Sequence, residues 1–315
     1  MRILTSGVLA ACVIVSAGSA TATRQEQVFR GTGELVRVFV TVTDKDGRLA
    51  TTLTQPDFSV RDDGKPQTIT LFDNSPQPIR LIVLLDVSGS MEGNLPLLRA
   101  AADQLITRLQ EKDLARLGTF GRDVTIGPAF SRDPDELRRS LPAAIDPEAP
   151  TPLWRAIDEA ITAFGNTGDN RRVVLVLSDG HDKPVGFSKR YVSQVEVMDR
   201  ARNEDVMIYA VGMRSRGRQM QPGIGPGGLQ AALVADLPDP GLARVAEETG
   251  GGYAEIKLGQ DLAASFAAVV DELHSQYLIG YAPPKRDGKT HKIDIRVATN
   301  GMKARGRKSY VAPRQ

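Results

Sequence analysis

At 315 residues the chain is long enough for a sizeable core and for more than one domain. Apolar residues make up 41% and charged residues 25%, ordinary fractions for a globular protein, and the formal net charge of +2 excludes a global pull toward nucleic acid or a membrane surface. The charge is uneven: from Lys285 onward ten Lys/Arg stand against two Asp. A basic chain end of this kind is expected to be a solvated strand face.

Residues 1–22 read as an export signal. Arg2 is a minimal positive region, Ile3 to Ala17 is an apolar stretch, and Ala20-Thr21-Ala22 offers a small-residue cleavage site. Thr5, Ser6 and Gly7 break the apolar run, so it is too short for a stable membrane span. "LAAC" at 9–12 also resembles a lipoprotein signal with Cys12 as the lipidated residue, but Val13, Ile14 and Val15 stay apolar where such a signal turns polar. Cys12 is the sole cysteine, so cleavage after Ala22 would leave no disulfide and no thiolate ligand. The expected location is exported: periplasm, cell envelope or outside.

Residues 23–78 read as a β segment. Val36, Val38, Val40 and Val42 alternate with Arg37, Phe39 and Thr41 at strand period. "DKDG" (44–47) and "DDGK" (62–65) are turns, and Phe58, Val60, Ile69 and Leu71 continue the alternation around the second. At Arg80 the pattern changes. "LIVLLD" (81–86), "RVVLVLSD" (172–179) and "VMIYAVGM" (206–213) are continuous apolar runs, the mark of strands covered on both faces. "DLARLGTF" (113–120) is a further strand. Helical stripes lie between these runs: Leu98, Ala102, Leu105 and Leu109 after Pro96, then 133–141, 152–164, a helix through Val192, Val195 and Met198 capped by Ser188, then 240–250 and 262–276. Alternating buried strands and helices over 79–276 imply a doubly wound, mostly parallel α/β sheet. Residues 277–315 return to strand patterns at 277–283, 293–297 and 307–313, and together with 23–78 are expected to build one small antiparallel β domain. Neither set of flanking strands is large enough to be stable alone.

The chemistry is concentrated where two apolar strands end. Asp86 closes the first and is followed by Ser88 and Ser90; Asp179 closes the second. In a parallel sheet, ligands bind beyond the carboxyl ends of the strands. Two carboxylates and two hydroxyls form a hard oxygen set, suited to Mg²⁺, Mn²⁺ or Ca²⁺ rather than to zinc or copper. Short polar side chains also cap helices, which is the purely structural use of the same residues.

The order Asp-x-Ser-x-Ser, then a threonine before a helix, then an aspartate after a later strand resembles the metal-ion-dependent adhesion site of von Willebrand factor type A (VWA) domains. Asp86, Ser88, Ser90, Thr151 and Asp179 match its five ligand positions; Pro150 precedes the threonine where the family usually has glycine. "VTVTDKDG", "FSVRDDGKPQ" and "YLIGYAP" further resemble a secreted bacterial VWA-related family with flanking β strands. The resemblance implies a Rossmann-like sheet, no enzymatic activity, a divalent cation, and a protein partner that presents a carboxylate to it. The Gly/Pro-rich segment 213–239 follows a strand that ends at the same sheet edge. Its Arg214, Arg216 and Arg218 are expected to steer an acidic partner.

Two other readings compete. A Mg²⁺-dependent phosphatase of the haloacid dehalogenase type also ends its first strand in Asp, but it needs a second Asp where Ser88 stands. No Gly-x-Ser-x-Gly elbow surrounds Ser88 or Ser90, and no phosphate-binding glycine loop with Lys-Ser/Thr is present. Of the three histidines, His181, His274 and His291, only His181 is near Asp179 in sequence. The remaining alternative is a scaffold whose metal is purely structural.

Overall fold

The alternating valines form β1 (Val36–Thr43), followed by β2 (Phe58–Asp62), β3 (Lys65–Gln67) and β4 (Leu71–Asp73). The α/β part then runs β5 (Ile79–Asp86), α1 (Leu95–Arg108), β6 (Leu114–Phe120), β7 (Val124–Ile126), α2 (Pro134–Arg139), α3 (Leu153–Ala163) and β8 (Arg171–Ser178). It continues with α4 (Gln194–Asn203), β9 (Val206–Met213), α5 (Pro240–Thr249), β10 (Tyr253–Ile256) and α6 (Leu262–His274). Four strands close the chain: β11 (Tyr277–Tyr281), β12 (Thr290–Val297), β13 (Lys303–Arg305) and β14 (Ser309–Val311). The structure, a computed structural model, describes residues 35–165, 171–183, 191–213, 238–256 and 261–314. The signal-like residues 1–22, Ser188, and Arg214, Arg216 and Arg218 lie outside them.

The continuous apolar runs occupy the centre of a six-stranded sheet ordered β10-β9-β8-β5-β6-β7, parallel except for β7. Strand period explains why these runs have no polar face. In β5, Ile79, Leu81, Val83 and Leu85 enter one core with α1 and α6, while Ile82 and Leu84 enter a second core with α3, α4 and α5. β8 and β9 divide their side chains the same way. Each such aliphatic side chain contributes about 1.5–3 kcal/mol by leaving water.

Strands from before and after this sheet interleave. β1 lies between β13 and β11 in one antiparallel sheet, with β4 beyond β11; β12 lies between β14 and β2 in another, with β3 beyond β2. Val36, Val38, Val40 and Val42 join Phe58, Val60, Tyr277, Ile279 and Tyr281 in a third core. The other face of β1 is covered as well. Phe39 receives the guanidinium of Arg171 over its ring at 4.3 Å, and Thr41 is buried.

A polar belt fills this second contact. Arg171 donates to the Leu273 carbonyl (2.7 Å) and to Gln276, and Gln276 donates to Thr41 (2.7 Å) and Tyr209 (3.0 Å). Glu272 accepts from Thr41 (2.9 Å), Tyr209 and Arg305. Burial lowers the Arg171 guanidinium to about 10, against the pull of Tyr209 and Glu272. The basic chain end is thus partly engaged rather than only solvated: Arg305 pairs with Glu272, Arg307 with Asp205, and Lys308 with Glu247.

One helix start differs from the sequence reading. α4 begins at Ser193, whose side chain accepts from the Glu196 amide while Glu196 reaches back to the Ser193 amide. This reciprocal cap satisfies two amides that would otherwise be orphaned and overrides the apolar spacing. It turns Val197 inward and leaves Val195 60% exposed.

Asp113 ties three elements at the sheet's amino edge. One of its oxygens accepts from the Ile79 amide (3.1 Å), the other from the Gln110 amide (2.7 Å) and His274 Nε2 (2.8 Å). Burial alone would raise its carboxyl, but these bonds, led by His274, hold it below the ordinary carboxylate range. A depressed folded-state value stabilises the fold above the unfolded value of about 3.9 and loses that contribution as pH falls through the folded one. Asp113→Asn is therefore expected to cost about 1–3 kcal/mol at neutral pH and to flatten the loss of stability below about pH 4. Denaturant unfolding of both proteins across pH 2–7 checks this; parallel pH profiles would remove Asp113 from the account.

Candidate metal site at the carboxyl edge of the sheet

β5 and β8 are neighbours and run in the same direction, so both end at one edge. Asp86 is the last residue of β5, and Asp179 follows the last residue of β8. Their exposures are 0% and 1%. Beyond Asp86 the chain enters a tight turn at Gly89–Met91, with Ser88 at its start. Asp86 Oδ1 accepts from the Ser88 amide (2.9 Å), which bends the turn back over the strand end. The Ser88 and Ser90 hydroxyls stand 3.1 Å apart, and Ser90 donates to Asp179 Oδ1 (2.7 Å).

Thr151 arrives from the other side, just ahead of α3, and is buried. Its carbonyl accepts from the Leu153 and Lys183 amides (2.9 and 2.7 Å), fixing it against the loop after β8. Thr151 Oγ1 and Ser90 Oγ lie 3.3 and 3.7 Å from the point where a Cβ on Gly180 would stand. The structure thus brings Asp86, Ser88, Ser90, Thr151 and Asp179 together at one edge. Ser90 is exposed and opens the group to solvent.

The electrostatics of this group are unbalanced. Burial, then the proximity of Asp179, pushes Asp86 up to about 7; hydrogen bonds from Ser178 and Ser88 offset part of the rise. Asp179 is also raised, chiefly by burial. Its Oδ2 is buried and has no hydrogen-bond partner, an expensive state for a carboxylate oxygen. Two buried carboxylates that stay raised despite the nearby Lys183, one with an orphaned oxygen, beside three hydroxyls and a bare Gly180, fit a hard divalent cation. Mg²⁺, Mn²⁺ and Ca²⁺ share this donor chemistry.

One member of the site escaped the sequence reading. Ser178 donates to Asp86 Oδ2 at 2.5 Å and so orients that carboxylate from the neighbouring strand. The only signal was its place next to Asp179 in an otherwise apolar run. His181 points elsewhere: its Nδ1 lies 4.0 Å from Asp239 Oδ2, and Asp239 caps α5 through the Gly241 amide (2.8 Å). Trp154 is buried in the second core. A separate acidic group also escaped notice. Asp62, Asp63 and His291, in the antiparallel part, hold one ligand atom each within 4.8 Å of one another.

Residues 81–223 match the family model of the von Willebrand factor type A domain. No curated protein matches the chain. Similar solved structures include an aerotolerance-related membrane protein from Bacteroides fragilis, with 15% identity and a TM-score of 0.46 over 62% of this chain and 98% of that one. A von Willebrand factor type A protein from Catenulispora acidiphila is 10% identical, with a TM-score of 0.48 over 90% of this chain and 76% of that one. Proximal thread matrix protein 1 from the mussel byssus, with a zinc-occupied MIDAS motif, is 15% identical, with a TM-score of 0.45 over 68% and 50%. Among the described residues no helix is long and apolar enough to cross a membrane.

Gly89 has a steric reason to sit between the two serines. A Cβ there would stand 1.9 Å from the Pro147 carbonyl oxygen, a backbone atom that cannot swing aside. Gly89→Ala is expected to displace Ser88 and Ser90 together and to weaken divalent-cation binding by about tenfold or more, as for lost outer-shell support. Isothermal calorimetry with Mn²⁺ checks it; wild-type affinity in this variant would mean that the turn does not position the hydroxyls.

Proposed function

The chain carries a von Willebrand factor type A domain, and on that premise we propose that it is an exported, non-enzymatic binding protein. It holds a divalent cation on Asp86, Ser88, Ser90, Thr151 and Asp179, and through it engages an acidic group of a protein partner. The observation that supports this reading best is the orphaned, buried Asp179 Oδ2 beside a raised Asp86 carboxyl, since both features ask for a cation from outside the chain. When bound, the cation supplies an electrophilic centre able to take a carboxylate oxygen. The side chains do the rest. The hydroxyls add oxygen donors without adding negative charge, Ser178 and the Ser88 amide fix the Asp86 carboxylate, and exposed Ser90 marks the side from which a partner reaches the site.

Mg²⁺ is the expected native ion, with Mn²⁺ and Ca²⁺ as chemical equivalents. Hydrolysis is not favoured, because Ser88 occupies the position where a phosphatase needs its second carboxylate and cannot act as acid or base near neutral pH. With the export signal read in residues 1–22, adhesion or complex assembly through this site is expected in the periplasm, in the cell envelope or outside the cell.

Asp86→Ala and Asp179→Ala are each expected to abolish Mg²⁺ and Mn²⁺ binding while far-UV circular dichroism stays unchanged, because the site lies at the rim of the sheet. Affinity capture from the native envelope should recover a partner with Mg²⁺ and lose it with chelator. Unchanged calorimetric affinity in both variants would sink the cation assignment. Partner capture that ignores chelator would leave the metal a structural role only.

A further inference from the structure

The antiparallel part of the molecule holds a second convergence of ligand atoms, on other strands and different in chemistry. Asp62 ends β2, and Asp63-Gly64 turns the chain into β3 with both residues in the left-handed region (φ 46° and 80°). β12 pairs with β2, placing Ile293 opposite Asp62 and bringing His291 alongside. His291 Nδ1 stands 3.1 Å from Asp62 Oδ1 and 3.1 Å from Asp63 Oδ2. Its other nitrogen, Nε2, stands 3.1 Å from Asp287 Oδ1. The imidazole side chain is only 3% exposed.

The remaining oxygens are already committed. Asp62 Oδ2 accepts from the hydroxyls of Tyr281 (2.9 Å) and Tyr310 (2.7 Å), and Asp63 Oδ1 accepts from the Lys292 amide (3.0 Å). The atoms left to face one another are one oxygen of Asp62, one oxygen of Asp63 and Nδ1 of His291. A neutral imidazole has a single ring proton. Placed on Nε2, it satisfies Asp287 and leaves the Nδ1 lone pair aimed at two carboxylates. Two carboxylate oxygens, one from buried Asp62 and one from half-exposed Asp63, converging on the lone pair of a buried imidazole repel it unless positive charge lies between them. A second ring proton supplies only one charge against Asp62, Asp63 and Asp287. A divalent ion supplies two and uses all three lone pairs.

From this we propose that Asp62, Asp63 and His291 form a second cation site, selective for a borderline transition metal of the zinc type. The donor set is one imidazole nitrogen and two carboxylate oxygens, which suits Zn²⁺ or Co²⁺ and disfavours Mg²⁺ and Ca²⁺, which prefer oxygen alone. Tetrahedral zinc with bonds of about 2.0–2.1 Å needs donors about 3.4 Å apart, close to the two 3.1 Å separations found. Asp287 on the far nitrogen is the outer partner that fixes the tautomer of a metal-bound histidine, and the two tyrosines orient Asp62 in the same way. Asp63, with 46% of its side chain exposed, gives the ion a way in and leaves a position open to water. A bound ion would fasten β2 and its turn to β12, and through the tyrosines to β11 and β14. It would act where strands from before and after the α/β sheet meet, in a region without cysteine.

The two sites differ in donors, so they can be separated. Metal-free wild-type and Asp86→Ala protein are titrated with Co²⁺, followed by visible absorption, and with Zn²⁺, followed by calorimetry and thermal unfolding. Asp86→Ala is expected to retain one Co²⁺ with a nitrogen-ligand absorption band, and its unfolding midpoint should rise with Zn²⁺ but not with Mg²⁺. Adding Asp63→Asn, which keeps the left-handed turn and its hydrogen bond, should weaken Co²⁺ and Zn²⁺ binding about tenfold or more. His291→Gln should abolish the absorption band, and if that variant does not fold, the Asp63→Asn result stands by itself. No Co²⁺ or Zn²⁺ binding to Asp86→Ala protein would overturn the proposal, as would binding that Asp63→Asn leaves unchanged.

Discussion

Two carboxylates buried at one edge of one sheet are the constraint around which the site is organised. A parallel sheet built by helical crossovers puts every strand's carboxyl end on the same side. β5 and β8 are adjacent in that sheet, so Asp86 and Asp179 are neighbours although 93 positions separate them. Burial opposes their charge, and their mutual repulsion adds to it. The surrounding groups answer mostly with dipoles, Ser178, Ser88, Ser90 and the Ser88 amide, with Lys183 the positive side chain that offsets part of the burial of Asp179. The Asp86 and Asp179 carboxyls remain raised and the Asp179 Oδ2 remains without a partner.

The rest of the α/β layer holds this edge still. The middle strands are packed on both faces, so their ends have little freedom to drift apart. Thr151 is tied by its own carbonyl to α3 and to the loop after β8. Gly89 lets the serine turn lie against Pro147. On the opposite side of the molecule's wiring, α6 leads within three residues into β11, and its Glu272 and the following Gln276 join Arg171, Tyr209, Thr41 and Arg305 in one buried belt. A belt of this kind is costly to break, because removing one member strands its partners in a low-dielectric place. It therefore ties the antiparallel strands to the parallel sheet by something more directional than apolar contact.

Much was legible in the linear chain for one reason. Strand and helix period write burial directly into residue order, and unbroken runs such as "LIVLLD" and "VMIYAVGM" have no solvent face to offer. The α/β class, the doubly covered sheet and the aspartates at strand ends follow from that, and the spacing Asp-x-Ser-x-Ser follows from the need to place three oxygens on one turn. Local hydrogen bonding was harder to see. Ser193 rather than an earlier serine starts α4, because a capping box is decided by which glutamate can reach back. The short strands β7 and β10 carry too few residues to show a period.

Residue order by itself determined what repeats within a few positions: the periods, the turns, the apolar runs and the five oxygen-bearing residues in their sequence. Only the tertiary structure decided what depends on distant segments meeting. Ser178 became a support for Asp86 because β8 lies beside β5. His291 came to face Asp62 because β12 pairs with β2 across more than two hundred residues. A polar side chain carries no mark of its partner. Its role is set by whichever strand comes to lie beside it, and strand order is a property of the whole packed chain.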